Sequence, residues 1–372
     1  MVAAAAAYET VRRDINALVH RGLGVHDFSR KVTRTLTRAV PSDGICLLTL
    51  DPATLLPTSE VVENGLPPAA MPRLTEIEQR EPDFNKFVAL ARSPQPAASL
   101  SAATAGELDC SLRQRELRRP SGFEDELRAA LSGSSGTWGA LTLLREAHRP
   151  HFTPAEVQFV SSLAGLLADG LQRATLLRPA ADSAATDNGD TGLVLLAPDD
   201  TIEMANRAAD HWLDELATGH GPGARLPSAL RAVASRARAL AQDGGTGTDA
   251  ARARVRTPAG RWIVIHGSVL GDRDGSGPRV AVWLEAARPP ELAPLIADAF
   301  GLTERERLVT ELVAQGFSTN EISTRLHLSA YTVQDHLKSI FEKSGTGSRG
   351  DLVARLFFDH YLPKLTSPRD PG

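Results

Sequence analysis

Thr303-Glu304-Arg305-Glu306 and Ser318-Thr319-Asn320-Glu321 open a stretch, Thr303 to Phe357, that decides how the end of this chain folds. Each run has the form of a capping box, in which a hydroxyl and a carboxylate satisfy backbone N–H groups left orphaned at a helix start. Ser329 and Ser348 read as two further N-caps. Gly316 and Gly345 stand where the first and third helices should stop, because a left-handed C′ residue costs glycine nothing. The spacing predicts helices at about 303–315, 318–326, 329–344 and 348–358. Only Leu326-His327-Leu328 joins the second to the third, so the two meet at a sharp angle as a helix-turn-helix.

In the third helix Val333, Leu337, Ile340 and Phe341 recur on one face and are expected to pack on Ile322, Leu326, Leu308 and Leu312. At about 100° per residue, Asp335, Lys338 and Glu342 point the other way, flanked by Tyr331, Thr332, Gln334 and Ser339. A helix of this width fits the DNA major groove, where such side chains meet base edges. Overall charge does not argue for DNA: residues 300–364 hold eight Lys and Arg against eight Asp and Glu. Attraction to phosphate must be local, from Lys338, Lys343, Arg349 and the helix starts near Thr319 and Thr332. A merely solvated polar face is the bland alternative.

Leu302-Thr303-Glu304-Arg305-Glu306, Ala314-Gln315-Gly316-Phe317-Ser318-Thr319-Asn320-Glu321-Ile322 and Leu328-Ser329-Ala330-Tyr331-Thr332-Val333-Gln334-Asp335-His336-Leu337-Lys338-Ser339-Ile340 together resemble the LuxR-type transcription-factor domain. The resemblance covers about one sixth of the chain. It implies that the helix after Ser329 reads the groove, that Thr319 and its neighbours touch phosphates, and that the helix after Ser348 makes a dimer contact. Candidate DNA-contacting residues are then Thr319, Asn320, Ser329, Thr332, Gln334, Asp335, Lys338, Ser339 and Lys343, with Leu352, Val353 and Leu356 for dimerisation. Two departures stand out. Gln334 and Asp335 follow the Thr-Val pair where the family commonly has a lysine, which favours adenine and cytosine over guanine as targets. Gly345-Thr346-Gly347 lacks the basic residue often found before the last helix.

The 372-residue chain has room for two or three domains. Its hydrophobic fraction is 42%, its net charge is −4, and it contains no run of eighteen apolar residues. Ala3–Ala7 lacks the basic start and long apolar core of a signal peptide. Cys46 and Cys110 are the only cysteines, too few for a disulfide framework, so a reducing cytoplasm is the expected compartment.

Two breaks divide the chain. Residues 179–191 hold almost nothing apolar larger than alanine and read as a linker, and Arg288-Pro289-Pro290 begins a second, stiffer one over 288–299. The expected domains are 1–178, 192–287 and 300–364, with a tail at 365–372. In the first, a helical pattern from about Tyr8 to Val40, with a break at Gly22-Leu23-Gly24, precedes strands near 44–50, 123–131 and 137–145. A closing helix starts at Thr153-Pro154-Ala155-Glu156. That order resembles the GAF-type sensory fold. In the second, Leu193–Ala197, the turn at Asp199-Asp200 and Thr201–Asn206 form a hairpin running into a helix, with strands at 252–256, 262–270 and 279–284; this is similar to a PAS domain. Asn206 is expected to tie strand end to helix start. The fold class is therefore multidomain α+β, with GAF-like and PAS-like α/β regions before an all-α helix-turn-helix domain.

Enzyme signatures are missing. The chain has no Gly-x-x-x-x-Gly-Lys-Ser/Thr, His-Glu-x-x-His, Gly-x-Ser-x-Gly or post-strand Gly-x-Gly-x-x-Gly. Gly133-Ser134-Ser135-Gly136 reads as a turn, His148 and His151 as surface residues, and the arginine-rich run Arg113–Arg119 as a solvated surface. Cys46 lies on an apolar strand and should be inert, whereas Cys110 lies among polar residues. No catalytic residue, metal site or cofactor is expected. The composite expectation is a regulator that binds double-stranded DNA as a homodimer, with a small-molecule effector or partner protein acting on the sensory regions and no membrane contact. Left open are a signalling protein acting through protein contacts and a thiol-dependent enzyme.

Overall fold

Gly44–Leu50 (β1) alternates so that Ile45 and Leu47 face one side of a sheet while Cys46 and Leu48 face the other. It pairs antiparallel with Pro57–Glu63 (β2) and with Gly136–Glu146 (β5). Phe123–Gly133 (β4) pairs with β5 across a turn closed by Gly133 and Gly136, and Ala97–Ser99 (β3) lies at the far edge. Gly136 has φ +112°, a backbone region closed to most side chains. The order is β2-β1-β5-β4-β3.

The computed structural model describes residues 2–176, 191–216, 226–242, 251–271, 277–288, 291–292, 295 and 300–353. Residues 179–190 of the expected first linker, Pro289-Pro290, Leu356 and the 365–372 tail lie outside them. The protein is multidomain α+β and falls into two compact units, one carrying the first sheet and most of the second, the other carrying residues 256–263 and the helices after Phe300.

On one face of the first sheet lie Val2–Val19 (α1), Val25–Leu36 (α2) and Pro154–Leu176 (α6). The helical pattern begins earlier than Tyr8 because the alanine run is itself an excellent helix former, and it breaks at Gly22-Leu23-Gly24 as expected. Tyr8 stacks on Phe159 at 4.1 Å, and Arg12 donates to Ser162 Oγ at 2.6 Å. Thr153 and Glu156 cap α6 reciprocally. Phe28 of α2 packs so closely on α6 that a Cβ at Gly170 would overlap its ring. Thus the apolar faces of both terminal helices are used inside the chain, leaving Gln158, Ser162, Asp169 and Arg173 of α6 exposed.

The opposite face is covered by Met71–Arg80 (α3), Phe87–Arg92 (α4), the single turn Leu100–Ala103 (α5) and the segment 108–122. Here the expected solvated surface at Arg113–Arg119 is corrected: Arg113 and Arg118 are buried, and only Arg115 and Arg119 among the arginines are exposed. Leu117 joins Leu66 and Ile77 in a small core, which draws the segment onto the sheet. Arg113 binds Glu126 and Asp83, both at 2.9 Å, and Arg118 binds Glu126 at 3.1 Å. Burial alone would raise the Glu126 pKa, but Arg113, Arg118 and Arg128 outweigh it and hold the carboxyl at about 2.

Gly192–Leu196 (β6), Ile202–Ala205 (β7), Arg252–Arg256 (β8), Trp262–Leu270 (β9) and Arg279–Ala286 (β10) make the second sheet, ordered β7-β6-β10-β9-β8. Counted from its own first strand, this is the order of the first sheet. Arg207–Leu216 (α7) follows β7, and Ser228–Gln242 (α8) precedes β8. Asn206 accepts from Leu193 N and Ala209 N and donates to Thr191 O, tying strand end to helix start. Within this unit Asp51, 2% exposed, closes a buried ion pair with Arg254: it accepts from Nη2 at 2.6 Å, from Nε at 3.0 Å and from the backbone N–H at 2.9 Å. Among the described residues no helix is long and apolar enough to cross a membrane.

Candidate nucleic-acid interface

Local chemistry sets the helix starts after Phe300. Thr303 and Glu306 form a reciprocal capping box at the start of Glu304–Ala314 (α9), and Ser318 and Glu321 another at Thr319–Leu326 (α10). Ser329 Oγ accepts from Thr332 N at 3.0 Å at the start of Ala330–Ser344 (α11). Ser348 Oγ accepts from Asp351 N at 3.0 Å, and residues 349–353 are helical. Gly316 (φ +87°) and Gly345 (φ +65°) take the left-handed conformation that ends α9 and α11. Between α10 and α11 that conformation falls to His327, φ +53°, and the N–H of Leu328 turns back to Ser323 O at 2.9 Å. The chain therefore reverses within Leu326-His327-Leu328, as its length requires.

Val333, Leu337 and Ile340 are buried together with Ile322. Leu308, Leu312, Leu326 and Phe341 are only half-buried; on α9 the buried face runs through Glu306, Val309, Thr310 and Val313 instead. That places a carboxylate among apolar residues. Glu306, 4% exposed, accepts from Thr303 N at 2.7 Å, Ser339 Oγ at 2.6 Å and Lys343 Nζ at 2.6 Å. Burial would raise its pKa, but the hydrogen bonds from Lys343, Ser339 and Thr303 prevail and hold it at about 2.

The expected contact residues separate into two sets. Gln334, Asp335 and Lys338 are exposed along α11, beside Tyr331, at 73%, and Glu342 of the same polar face. Asn320 is exposed at the start of α10, where Thr319 is half-buried. Ser339 and Lys343 instead turn to Glu306, because a buried carboxylate needs donors and countercharge near it. Ser329 and Thr332 cap α11 and bond to each other at 2.8 Å. Arg349 donates to Phe317 O at 2.6 Å, joining the last helix to the start of α10. Leu352 is 0% exposed, part of the module's own core and not of a free face; Val353 beside it is half-buried. The anchoring role of Glu306 escaped the sequence pattern, because it depends on which side of a helix neighbouring helices cover, whereas Tyr331 is exposed on the flank of the outer face where its spacing puts it.

Electrostatically the exposed face of α11 is mixed, with Lys338 between Asp335 and Glu342. Such a face offers hydrogen-bond donors and acceptors with little net charge. The bacterial regulatory protein luxR family matches residues 301–356. Transcriptional regulatory protein UhpA of Escherichia coli is 43% identical over 56 residues, 15% of this chain and 29% of UhpA. Transcriptional regulatory protein ComA of Bacillus subtilis is 44% identical over 52 residues, 14% of this chain and 24% of ComA. The chain thus spans less than a third of either relative. A phycoerythrobilin-bound GAF domain from a cyanobacterial phytochrome has 16% identity and a TM-score of 0.32, covering 46% of this chain and 97% of that one.

Proposed function

We propose that this chain, whose residues 301–356 form a luxR-family helix-turn-helix, is a sequence-specific transcription regulator whose N-terminal GAF-like and PAS-like regions control a dimerising DNA reader. Proteins carrying this module are DNA-binding transcription regulators. One observation supports the reading above others: α11 is anchored by a buried apolar face and by Glu306, yet presents Tyr331, Gln334, Asp335 and Lys338 outward on a rigid helix of groove width. Gln334 is suited to adenine and Asp335 to the amino group of cytosine.

A module without net charge binds a single site weakly. Two copies on one duplex raise the effective concentration of the second contact, so the proposal includes a homodimer. Leu352 is committed to the module's interior, and the contact falls to Val353 and the residues after it. In the sensory unit the exposed polar strip of α6 is the surface left for subunit pairing.

A second reading, docking to a protein partner, is favoured by one observation: Lys343 and Arg349 spend their charge inside the module. Titrating the full chain against a duplex selected from a randomised pool, and against its scrambled version, separates the two. DNA readout predicts a preference of at least tenfold for the selected duplex and weakening by at least tenfold between 50 and 200 mM salt, on the order expected for several phosphate contacts. Equal, salt-independent affinity for both duplexes would establish the second reading.

A further inference from the structure

Strand alternation places Glu60, Cys46, Thr142 and Arg128 on one face of the first sheet, and there a cavity of about 110 Å³ separates the sheet from α3 and α4. Leu48, Leu66, Met71, Leu74 and Phe87 form an apolar wall. Arg118 and Arg128 stand at the polar end, and Ser228, Arg231 and Ala232 of α8 reach in from the second sheet's region. Resting on the reading of this unit as sensory, we propose that the cavity binds a small uncharged molecule with an apolar body and one hydrogen-bond-accepting atom, held by Arg118 and bounded on one side by α8.

Size comes first. A dry apolar cavity of about 150 Å³ holds a benzene, so this one, at about 110 Å³, takes about four or five non-hydrogen atoms. The demand for an acceptor comes from Arg118, which is 6% exposed. Among the described residues its one hydrogen bond runs from Nη2 to Glu126, and Nε is buried without a partner. A guanidinium carries five N–H donors, and leaving them unsatisfied in a buried place is costly. Arg128 Nε is likewise buried without a hydrogen-bond partner, but this guanidinium already donates to Asn85 O and to Glu78 and lies over the Phe87 ring at 3.6 Å, so Arg118 is the less satisfied of the two.

Charge selects against an ionic guest. Of the groups lining the cavity, Arg118, Arg128 and Arg231 face Glu60 and Glu78. Glu126 pairs with Arg118 and Arg113, and Arg113 pairs with Asp83. Four guanidinium groups therefore stand against four carboxylates; Lys86, close to Glu78 and Asp83, lies outside the cavity wall and gives its ammonium to Glu81 O. An anionic ligand adds a fifth negative charge with no free countercharge at the wall, and an ammonium has no lone pair to offer Arg118. A carbonyl, ether or ring nitrogen satisfies the donor and leaves the balance intact. Cys46 does not complicate the site: burial, with Glu60 adding to it, pushes its thiol to about 12, so it stays protonated.

The test is a ligand-observed NMR titration of the full chain with butan-2-one, pentane, propanoate and butylammonium, which have the same number of non-hydrogen atoms. Butan-2-one should bind saturably, and each of the others about tenfold or more weaker. Arg118→Gln should weaken butan-2-one about ten- to a hundredfold without changing pentane. Because Arg118→Gln also deprives Glu126 of a partner, Ala232→Leu provides a second variant, filling the cavity from α8 and displacing both ligands. Carboxylate binding as tight as that of the ketone, no saturable ketone binding, or ketone binding unchanged in folded Ala232→Leu overturns the proposal. DNA affinity measured in the same samples without ligand shows whether the regulatory reading stands or falls separately.

Discussion

Replacing Glu306 by alanine should loosen the helix-turn-helix while sparing the sensory unit. Three interactions disappear: the cap on Thr303 N, worth about 1 kcal/mol, the bond from Ser339, worth about 1 kcal/mol, and the pairing with partly exposed Lys343, worth up to about 1 kcal/mol. The depressed pKa expresses the same three interactions. A carboxyl held at about 2 against an ordinary 4.5 corresponds to about 3 kcal/mol. Because the folded-state value is depressed, this stabilisation is complete above pH 4.5 and fades as pH falls toward 2. Hydrogen exchange of peptides spanning 304–344 in the full chain reads it directly, and Glu306→Ala should exchange about a hundredfold faster at pH 7. Peptides of the first sheet, between residues 44 and 146, belong to the other unit and should exchange as in the wild type. Exchange within twofold of wild type, or a difference independent of pH down to 2, would refute the reasoning.

Three further outcomes follow from packing. Asp51→Ala leaves the Arg254 guanidinium buried without its carboxylate and should cost about 3–5 kcal/mol; a urea transition by tryptophan emission that does not move would contradict this. Gly170→Ala drives a methyl into Phe28 and should destabilise by about 1–3 kcal/mol, with recovery in Gly170→Ala/Phe28→Leu, both read by thermal denaturation. Leu352→Arg should unfold the C-terminal module, because a charge is forced into its core. Val353→Arg should leave exchange in 304–344 near wild type and weaken only dimer-dependent DNA binding; equal loss of protection in both variants would exclude Val353 from an intersubunit surface.

What could be read from the chain was what local chemistry controls. The caps at Thr303, Ser318, Ser329 and Ser348 and the stops at Gly316 and Gly345 lie within four residues of what they satisfy, and all appear as expected. Strands β8 and β9 were legible for a similar reason, being bounded by turn residues. The edge strand β2 was not, since Pro57-Thr58-Ser59-Glu60 has little apolar alternation. Arg113 and Arg118 looked solvated because their carboxylate partners Asp83 and Glu126 lie 30 and 8–13 residues away. The same limit hid Glu306, whose donors Ser339 and Lys343 are 33 and 37 residues further on. Sequence spacing tells which face of a helix is apolar; which polar residues a neighbouring helix recruits is decided only when the two meet.

The decisive measurement concerns the outer face of α11. Tyr331, Gln334 and Lys338 are exposed, so changing all three to alanine should leave hydrogen exchange in 304–344 as it is in the wild type. Against the duplex selected by the wild-type chain, anisotropy titration should show affinity falling at least about a hundredfold, as loss of base-edge and phosphate contacts requires. A triple variant that binds the same duplex with wild-type affinity and preference would show that this face does not meet DNA.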